Sequence, residues 1–184
     1  MTVPFFTFVG GAQGDWRIQS IDAIVGPSIP SADRLKILSS EQISTADAVW
    51  SFKGVVSNLR YTHRDEKENL VAKQPPLNRA KATCAAMILI KKSEAWWALS
   101  QDERRAILEE QSRHIHIGMQ YLPAIARRLH HSRDLGEPFD FITWFEFAPE
   151  HTENFSALVK ELRATKEWEF VEREVDVRVI REPA

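Results

Sequence analysis

The pattern of hydrophobic and polar positions predicts strands over much of the first third of the chain. Apolar residues are dense, or alternate with polar ones, over residues 3–10, 16–26 and 47–61, and such patterns are typical of strands. Two prolines and several serines over 27–46 favour a connection that carries a short helix. Residues 63–78 are charged and contain a Pro-Pro pair, which predicts a loop or a short helix.

In the second half, predicted strands and helices alternate along the chain. Ser100 and Glu103 have the spacing of a capping box, which marks a helix start. The helix that follows should end before Gly118 and Pro123, which interrupt helices. The predicted elements are a strand over 83–91, a helical turn over 93–97, a helix over 100–117, a strand over 139–147, a helix over 154–164 and a strand over 168–180. This order predicts an α+β fold of the ferredoxin-like type, with helices on one face of a largely antiparallel sheet.

The composition narrows the class of protein. Hydrophobic residues make up 43% of the chain and charged residues 27%, as in ordinary globular domains. The net charge of −2 argues against a nucleic-acid binder with a broad basic face. Cys84 is the single cysteine, so an intrachain disulfide and a CxxC metal motif are excluded. No segment has the roughly 20 apolar residues of a membrane helix or the pattern of a signal peptide. We therefore expect a cytoplasmic protein with neither nucleic acid nor membrane as a partner.

Four of the six histidines lie within residues 112–133. His114 and His116 are two residues apart, so on a helix they face different directions and do not grip one metal together. His130 and His131 are interpreted as a solvated helix end. Without an HExxH motif, a zinc or di-iron site has weak support. One histidine ligand among apolar aromatic side chains is instead what a haem site needs.

Five features, in order, carry a resemblance that is more specific than any one of them. They are SNLRYT at 57–62, KKSEAWWAL at 91–99, His114 with Arg127 thirteen residues later, FDFITWFEF at 139–147 and LRATKEWEF at 162–170. The region from about 50 to 175 resembles the chlorite dismutase family, and the short chain is similar to the compact branch of that family.

The resemblance implies a dimeric α+β barrel with a truncated N-terminal half-domain. Residues 1–80 would form this truncated ferredoxin-like part, and residues 81–184 the C-terminal haem-binding ferredoxin-like domain. It also implies haem b (iron protoporphyrin IX) as the cofactor, a homodimer, and chlorite O2-lyase activity. The reaction would convert chlorite to chloride and dioxygen, with the O–O bond formed at the haem iron.

The resemblance assigns the proximal side of the haem to three residues. His114 matches the iron ligand, Glu167 the carboxylate that accepts a hydrogen bond from its second nitrogen, and Lys92 the lysine paired with that carboxylate. Such a carboxylate fixes the tautomer of the ligand and makes the imidazole a stronger donor. The lysine keeps the glutamate ionised in a buried place. Spacings slightly longer than those of the family leave Glu161 as the alternative to Glu167.

Further residues are assigned to the substrate side and to the edge of the haem. Arg127 matches the arginine that faces the substrate, where a permanently charged guanidinium suits a small anion. From the residues alone, Arg127 and Arg128 would be an ordinary surface pair. The resemblance assigns haem binding to Trp96, Trp97, Asn58 and Tyr61, and the alternation of Trp144 and Phe145 predicts that only one of them lines the pocket.

Two other functions stay open at this stage. Coproheme decarboxylases look similar and use the same proximal histidine, but they typically lack an arginine at the position of Arg127 and lack the glutamate–lysine support. A non-enzymatic haem carrier or sensor with the same fold is the second alternative. Dye-decolourising peroxidases need a distal Asp-and-Arg motif that this sequence does not show.

Overall fold

The computed structural model describes residues 5–39, 47–56 and 62–182. Neighbouring strands run antiparallel and close into a barrel in the order β1-β3-β2-β8-β5-β7-β6-β4. The strands are β1 (Phe5–Gly11), β2 (Trp16–Val25), β3 (Arg34–Leu38), β4 (Trp50–Val56), β5 (Cys84–Lys92), β6 (Ala126–His131), β7 (Phe141–Phe147) and β8 (Val171–Arg181).

Helical segments connect the later strands. The α-helices are α1 (Arg64–Lys73), α2 (Glu94–Ala98), α3 (Gln101–Arg105), α4 (His114–Gln120) and α5 (Thr152–Arg163). A wide π-helical turn, here called the π turn (Ala106–Gln111), separates α3 from α4. Short 3-10 helices lie at Arg133–Leu135, Pro149–His151 and Lys166–Phe170, and the last is here called the 166–170 turn. Within the described ranges, no helix is both long enough and apolar enough to cross a bilayer.

Alternation of side chains along the strands separates two hydrophobic cores. Successive residues of a strand point to opposite faces of a sheet, so Met87 and Leu89 of β5 point into the barrel and Ile88 and Ile90 point out. The interior core also contains Phe8, Trp16, Leu35, Trp50, Phe52, Ile142, Trp144, Val175, Val177 and Val179. The outer core lies under α5, whose Phe155, Leu158, Val159 and Leu162 pack on the outward side chains.

The α+β class and the barrel are confirmed. The strands predicted over 3–10, 16–26, 83–91, 139–147 and 168–180 match β1, β2, β5, β7 and β8 within three residues at their described ends. The helix predicted over 154–164 is α5, and the capping box at Ser100 and Glu103 is present at the start of α3. The strand predicted over 47–61 is β4, although residues 57–61 lie outside the described ranges.

Three expectations were wrong. Within residues 27–39 the chain forms strand β3 rather than a short helix, because Leu35 pairs with Gly10 of β1 and is buried in the barrel. The helix predicted over 100–117 is divided by the π turn and by Arg113, whose φ of 54° is left-handed, and its last part, α4, continues through Gly118 to Gln120. His130 and His131 belong to strand β6, not to a solvated helix end, and His130 is fully buried.

Both halves of the chain contribute to one barrel. The four strands from before residue 80 lie next to one another, as do the four from after it, and the β2–β8 and β4–β6 pairs join the two groups into one closed sheet. The interior core likewise joins Phe8 and Trp50 to Met87 and Val177. The division into residues 1–80 and 81–184 stays a prediction.

Candidate functional site

A cavity of about 700 Å³ lies on the outside of the barrel, between its later strands and the helices. Its volume is within the range of small-molecule and cofactor sites. Nine of the strand residues that line it follow the period of two expected for one face of a sheet. They are Ile88, Ile90 and Lys92 of β5, Arg127, Leu129 and His131 of β6, and Phe141, Thr143 and Phe145 of β7. Val56 of β4, Arg128 of β6 and Glu174 of β8 also line the cavity.

The walls of this cavity are mainly apolar. Leu158, Val159 and Leu162 of α5 and Leu70 of α1 close its sides. Phe145 lines the cavity, whereas Trp144 lies in the interior core, as the alternation along this strand predicts. The charged side chains in this mainly apolar lining need an explanation; they are those of Lys67, Lys92, Arg127, Arg128, Glu167 and Glu174.

His114 reaches the cavity from the first position of α4. The chain enters α4 through the π turn, Ser112 and the left-handed Arg113. Wide turns of this kind are frequent at functional sites, since they change which way the following residues face. Here the irregular path changes the direction of the His114 side chain from the one that a continuous helix would give it.

A buried ion chain runs behind His114. Nδ1 of His114 lies 2.6 Å from Oε2 of Glu167, and Nζ of Lys92 lies 2.8 Å from Oε1 of the same carboxylate. The side chains of Lys92 and Glu167 are only 3% and 6% exposed. Burial raises the pKa of Glu167, but the charges and hydrogen bonds of His114 and Lys92 outweigh it and lower the pKa to about 2. An ionised Glu167 is an acceptor only, so Nδ1 of His114 carries the proton.

Two hydrogen bonds also fix the backbone at Glu167 and Lys92. The N–H of Glu167, in the 166–170 turn, donates to Oγ of Ser112 at 2.8 Å. The N–H of Lys92 donates to Oδ2 of Asp140 at 2.7 Å. Nζ of Lys92 lies 4.5 Å from the ring centroid of Trp96 and 5.5 Å from that of Trp168, so two indole faces surround the ammonium group.

Arg127 brings a second charge into the cavity from β6. No acidic side chain of residues 5–39, 47–56 or 62–182 lies within ion-pair distance of it. Loss of solvation by burial lowers the pKa of its guanidinium, which remains charged because arginine titrates so far above neutrality. Its backbone carbonyl accepts a hydrogen bond from Nε2 of Gln74 at 2.7 Å. The cavity thus contains a cation without a described counter-ion, which suits an anionic ligand.

Comparison with known proteins agrees with this geometry. The family model for chlorite dismutase matches residues 31–182. The chain belongs to the chlorite dismutase family. The curated chlorite dismutase of Ideonella dechloratans is 33% identical over 110 residues, which are 55% of this chain and 35% of that protein. The matched part therefore covers about a third of the Ideonella chlorite dismutase.

Solved structures of the family superpose on the barrel. The crystal structure of dimeric chlorite dismutases from Nitrobacter winogradskyi is 51% identical, with a TM-score of 0.91 over 96% of this chain and 99% of that one. The chlorite dismutase from Candidatus Nitrospira defluvii in complex with imidazole is 21% identical, with a TM-score of 0.69 over 98% of this chain and 91% of that one. At that identity the likeness is one of fold.

The other residues matched to the family lie in different surroundings. Trp96 is buried and lines the cavity. Trp97 is not among the lining residues; its Nε1 donates to Oδ2 of Asp140 at 3.2 Å, and its ring stacks on that of Phe141. Asn58 and Tyr61 lie outside the described residues, so their assignment stays a prediction. Glu161 accepts a hydrogen bond from the hydroxyl of Tyr121, which raises the pKa of Tyr121 to about 12.

The remaining histidines divide into surface, core and cavity positions. His116 is exposed and contacts Gln120. His130 is buried inside the barrel, whereas His131 lines the cavity with its ring edge-to-face against Phe141. The spacing of the histidines in the sequence could not separate these positions, because β6 was not predicted.

Sequence reasoning also missed Ser112, Asp140 and Trp168. Ser112 and Asp140 act on partners 55 and 48 residues away in the sequence, and neither belongs to a recognisable motif. Trp168 follows Glu167 directly, and its Nε1 donates to Oε2 of Glu174 at 2.7 Å. The stretch KEWEF was the one local signal that could have drawn attention to it.

The residues present fit one haem with one protein ligand. No described residue bonds to Nε2 of His114, which faces the cavity as a possible ligand atom while Nδ1 is held by Glu167. Within the described ranges no three His, Cys, Asp or Glu side chains are grouped to hold a metal ion, so the donor set offers a single imidazole. Apolar walls of aliphatic and aromatic side chains suit the faces of a porphyrin.

Proposed function

We propose that this chain is a haem b enzyme that converts chlorite to chloride and dioxygen. The observation that carries the proposal is the pairing of two features in one apolar cavity. One is the His114–Glu167–Lys92 ion chain, and the other is the half-buried Arg127, which has no acidic partner among the described residues. Membership of the chlorite dismutase family supports the same reaction.

His114 would hold the haem iron through Nε2. Its Nδ1–H donates to an ionised Glu167, which fixes the tautomer with Nε2 unprotonated and increases electron donation from the imidazole. Lys92 stabilises the charge of Glu167, because an unpaired carboxylate would be costly in this buried place. The haem would supply the iron at which the Cl–O bond breaks and the O–O bond forms.

Arg127 would hold the chlorite anion in the cavity, together with the anionic chlorine-containing fragment that would remain once the first Cl–O bond is broken. In the proposed reaction both oxygen atoms of the dioxygen would come from one chlorite ion, so a fragment that escapes would be lost to the reaction. A guanidinium attracts anions strongly where water is scarce. It is also a poor proton donor at neutral pH because its pKa is so high. Arg127 therefore retains the fragment without protonating it.

Trp96, Asn58 and Tyr61 are proposed to contact the edge of the haem, and Trp97 is proposed to support its proximal side. Trp96 lies beside Lys92 in the cavity wall, which supports the first of these assignments. Trp97 would act through Asp140, since its indole N–H and the backbone of Lys92 share that carboxylate oxygen.

A homodimer is proposed as the assembly, supported by the 51% identity to chlorite dismutases described as dimeric. We also propose that the protein is located in the cytoplasm.

The test is dioxygen evolution from chlorite by the haem-loaded protein, measured with an oxygen electrode alongside the absorption spectrum. We expect dioxygen and chloride in equal amounts, and an absorption spectrum typical of a haem iron with one histidine ligand. Haem binding without evolution of dioxygen would reject the proposal. In that case, decarboxylation of coproheme on addition of an oxidant would favour the coproheme decarboxylase alternative. If no decarboxylation occurred either, a haem carrier or sensor would be favoured.

Arg127→Ala should lower the rate of dioxygen evolution while the haem spectrum stays intact. Arg64→Ala is the matched control, because Arg64 is 93% exposed on α1 and pairs only with Glu68 among the described residues. Loss of haem in Arg127→Ala would instead show that Arg127 is structural.

A further inference from the structure

The start of α4, which carries His114, lacks an ordinary helix cap. The residue in the cap position is Arg113, which is left-handed and makes no side-chain cap bond. Helices usually begin with Ser, Thr, Asp or Asn, whose side chain satisfies a backbone N–H of the first turn. Without such a group, the N–H groups at this end would have no acceptor.

Glu109 supplies that acceptor from the preceding π turn. Its Oε2 accepts the N–H of Ile115 at 2.6 Å, and its Oε1 lies 3.3 Å from the N–H of His116. Its backbone carbonyl accepts the N–H of Arg113 at 2.9 Å. A carboxylate is also favoured here by the partial positive charge of a helix N-terminus.

The same stretch of chain determines where Glu167 lies. Ser112, three residues after Glu109, accepts the N–H of Glu167 through Oγ. The π turn and Ser112, which follows it directly, therefore act on both partners of the 2.6 Å contact between His114 and Glu167: the Glu109 carboxylate on the first and the Ser112 hydroxyl on the second.

We infer that Glu109 is a positioning residue for the haem ligand. It fixes the first turn of α4, so that Nδ1 of His114 stays within hydrogen-bond distance of Glu167 and Nε2 faces the cavity. The functional meaning rests on the proposed haem ligation, whereas the geometry belongs to the protein itself. The haem-free chain can therefore test the geometry.

The experiment compares Glu109→Ala and Glu109→Gln with Glu110→Ala. Glu110 is the adjacent residue of the same type and is exposed. Two NMR measurements are made on the haem-free protein: the exchange rates of the Ile115 and His116 amides, and the chemical shift of the His114 Nδ1 proton. The midpoint reduction potential of the haem-loaded protein is the third measurement.

Glu109→Ala should raise the two amide exchange rates by about fivefold or more, the effect of losing one helix cap. The His114 Nδ1 proton should move upfield as its bond to Glu167 weakens, and the reduction potential should rise. Glu109→Gln keeps one neutral acceptor and should fall between Glu109→Ala and the wild type. Glu110→Ala should change none of the three.

Unchanged exchange at Ile115 in Glu109→Ala would overturn the inference, since the burial of Ile115 would then suffice to fix the turn. Faster exchange with an unmoved His114 proton would overturn it too, because the cap would not position the ligand. If Glu109→Ala does not fold, the same readings on Glu109→Gln decide. A wild type that binds no haem would reject the proposed function, while the measurements on the haem-free chain would still judge Glu109.

Discussion

His114 and His130 show how one residue type is given opposite properties on the two sides of a sheet. Nδ1 of His114 contacts the Glu167 carboxylate at 2.6 Å, and its Nε2 has no described partner. Nδ1 of His130 contacts the carbonyl oxygen of Ile142 at 3.0 Å, and its Nε2 accepts from Nε of Arg128 at 3.0 Å. Both nitrogens of His130 are occupied, so only His114 can offer a lone pair to iron.

The charges around the two rings differ in sign. Beside His114 the neighbouring charge is the negative carboxylate of Glu167, which Lys92 balances. Beside His130, burial and the charge of Arg128 lower its pKa to about 4, even though its bond to the Ile142 carbonyl acts in the other direction. His130 is therefore a neutral core residue at physiological pH, where Phe6 and Phe8 pack edge-on against it.

The comparison shows that burial and the hydrogen-bond partners together set the chemistry of an imidazole in this protein. The Glu167 carboxylate bonds to Nδ1 of His114 and leaves Nε2 free to bind a metal, whereas the Arg128 donor occupies Nε2 of His130. Three measurements can break or sharpen this difference.

The largest effect is expected from Lys92→Met, which leaves the buried Glu167 carboxylate without its lysine. Removing one partner of a buried ion pair typically costs about 3–5 kcal/mol of folding free energy. Lys91→Met is the matched control, because Lys91 is 39% exposed and pairs with the exposed Glu172. Its loss should change the free energy of unfolding by less than about 1 kcal/mol.

Guanidinium unfolding at pH 7 and a fixed protein concentration measures both variants. Equal losses for Lys92→Met and Lys91→Met would show that the buried lysine does no more than a surface one, and the contrast between the two histidine sites would lose its electrostatic basis.

A smaller effect is expected from the protonation of His130. Its pKa is about 4 in the folded protein against an ordinary value of 6.5, so the unfolded chain binds a proton first and folding free energy is lost as pH falls between these values. The loss amounts to about 3 kcal/mol when complete. Arg128, His131 and the Ile142 carbonyl are the groups that act on this ring.

Unfolding of the wild type and of His130→Gln across pH 7 to 4 separates this contribution. The pKa of Glu167 is lowered to about 2 from an ordinary 4.5, so the stability it contributes is complete above pH 4.5 and is lost only between about 4.5 and 2. Between pH 6.5 and 4.5 the difference in slope between the two proteins therefore reports His130. Parallel curves would mean that His130 has the same pKa in the folded protein as in the unfolded chain, and so becomes charged in the core as the pH falls.

The position of His130 marks the limit of what the sequence could predict. Dense apolar runs or period-two alternation were enough to find β1, β2, β5, β7 and β8, because these patterns are visible in the local sequence. Strand β6 carries ARRLHH, whose polar side chains hide the same alternation. Its strand conformation depends on pairing with β7, which begins ten residues after β6 ends.

The candidate site divides in the same way. Resemblance to the family suggested His114, Glu167, Lys92 and Arg127 before any geometry was known. The π turn, the cap by Glu109 and the acceptor Ser112 are contacts between backbone and side chain that have no motif. They follow from where the chain turns and were visible only in the structure.

The smallest effect separates Glu167 from Glu161, the two carboxylates that the spacing in the sequence left open. Glu167→Gln keeps an acceptor for Nδ1 of His114 but removes the negative charge, and loss of such a partner typically lowers the affinity of a metal site by about 10–100-fold. Glu161→Gln should leave haem affinity unchanged, because Glu161 bonds to Tyr121 at the surface. The effect of Glu161→Gln itself should be a fall in the pKa of Tyr121 from about 12 towards 10.

Haem titrations followed by absorbance measure the haem affinity, and an ultraviolet titration measures the pKa of Tyr121. Weaker haem binding in Glu161→Gln, with full affinity in Glu167→Gln, would exchange the roles of the two residues and remove the carboxylate that distinguishes His114 from His130.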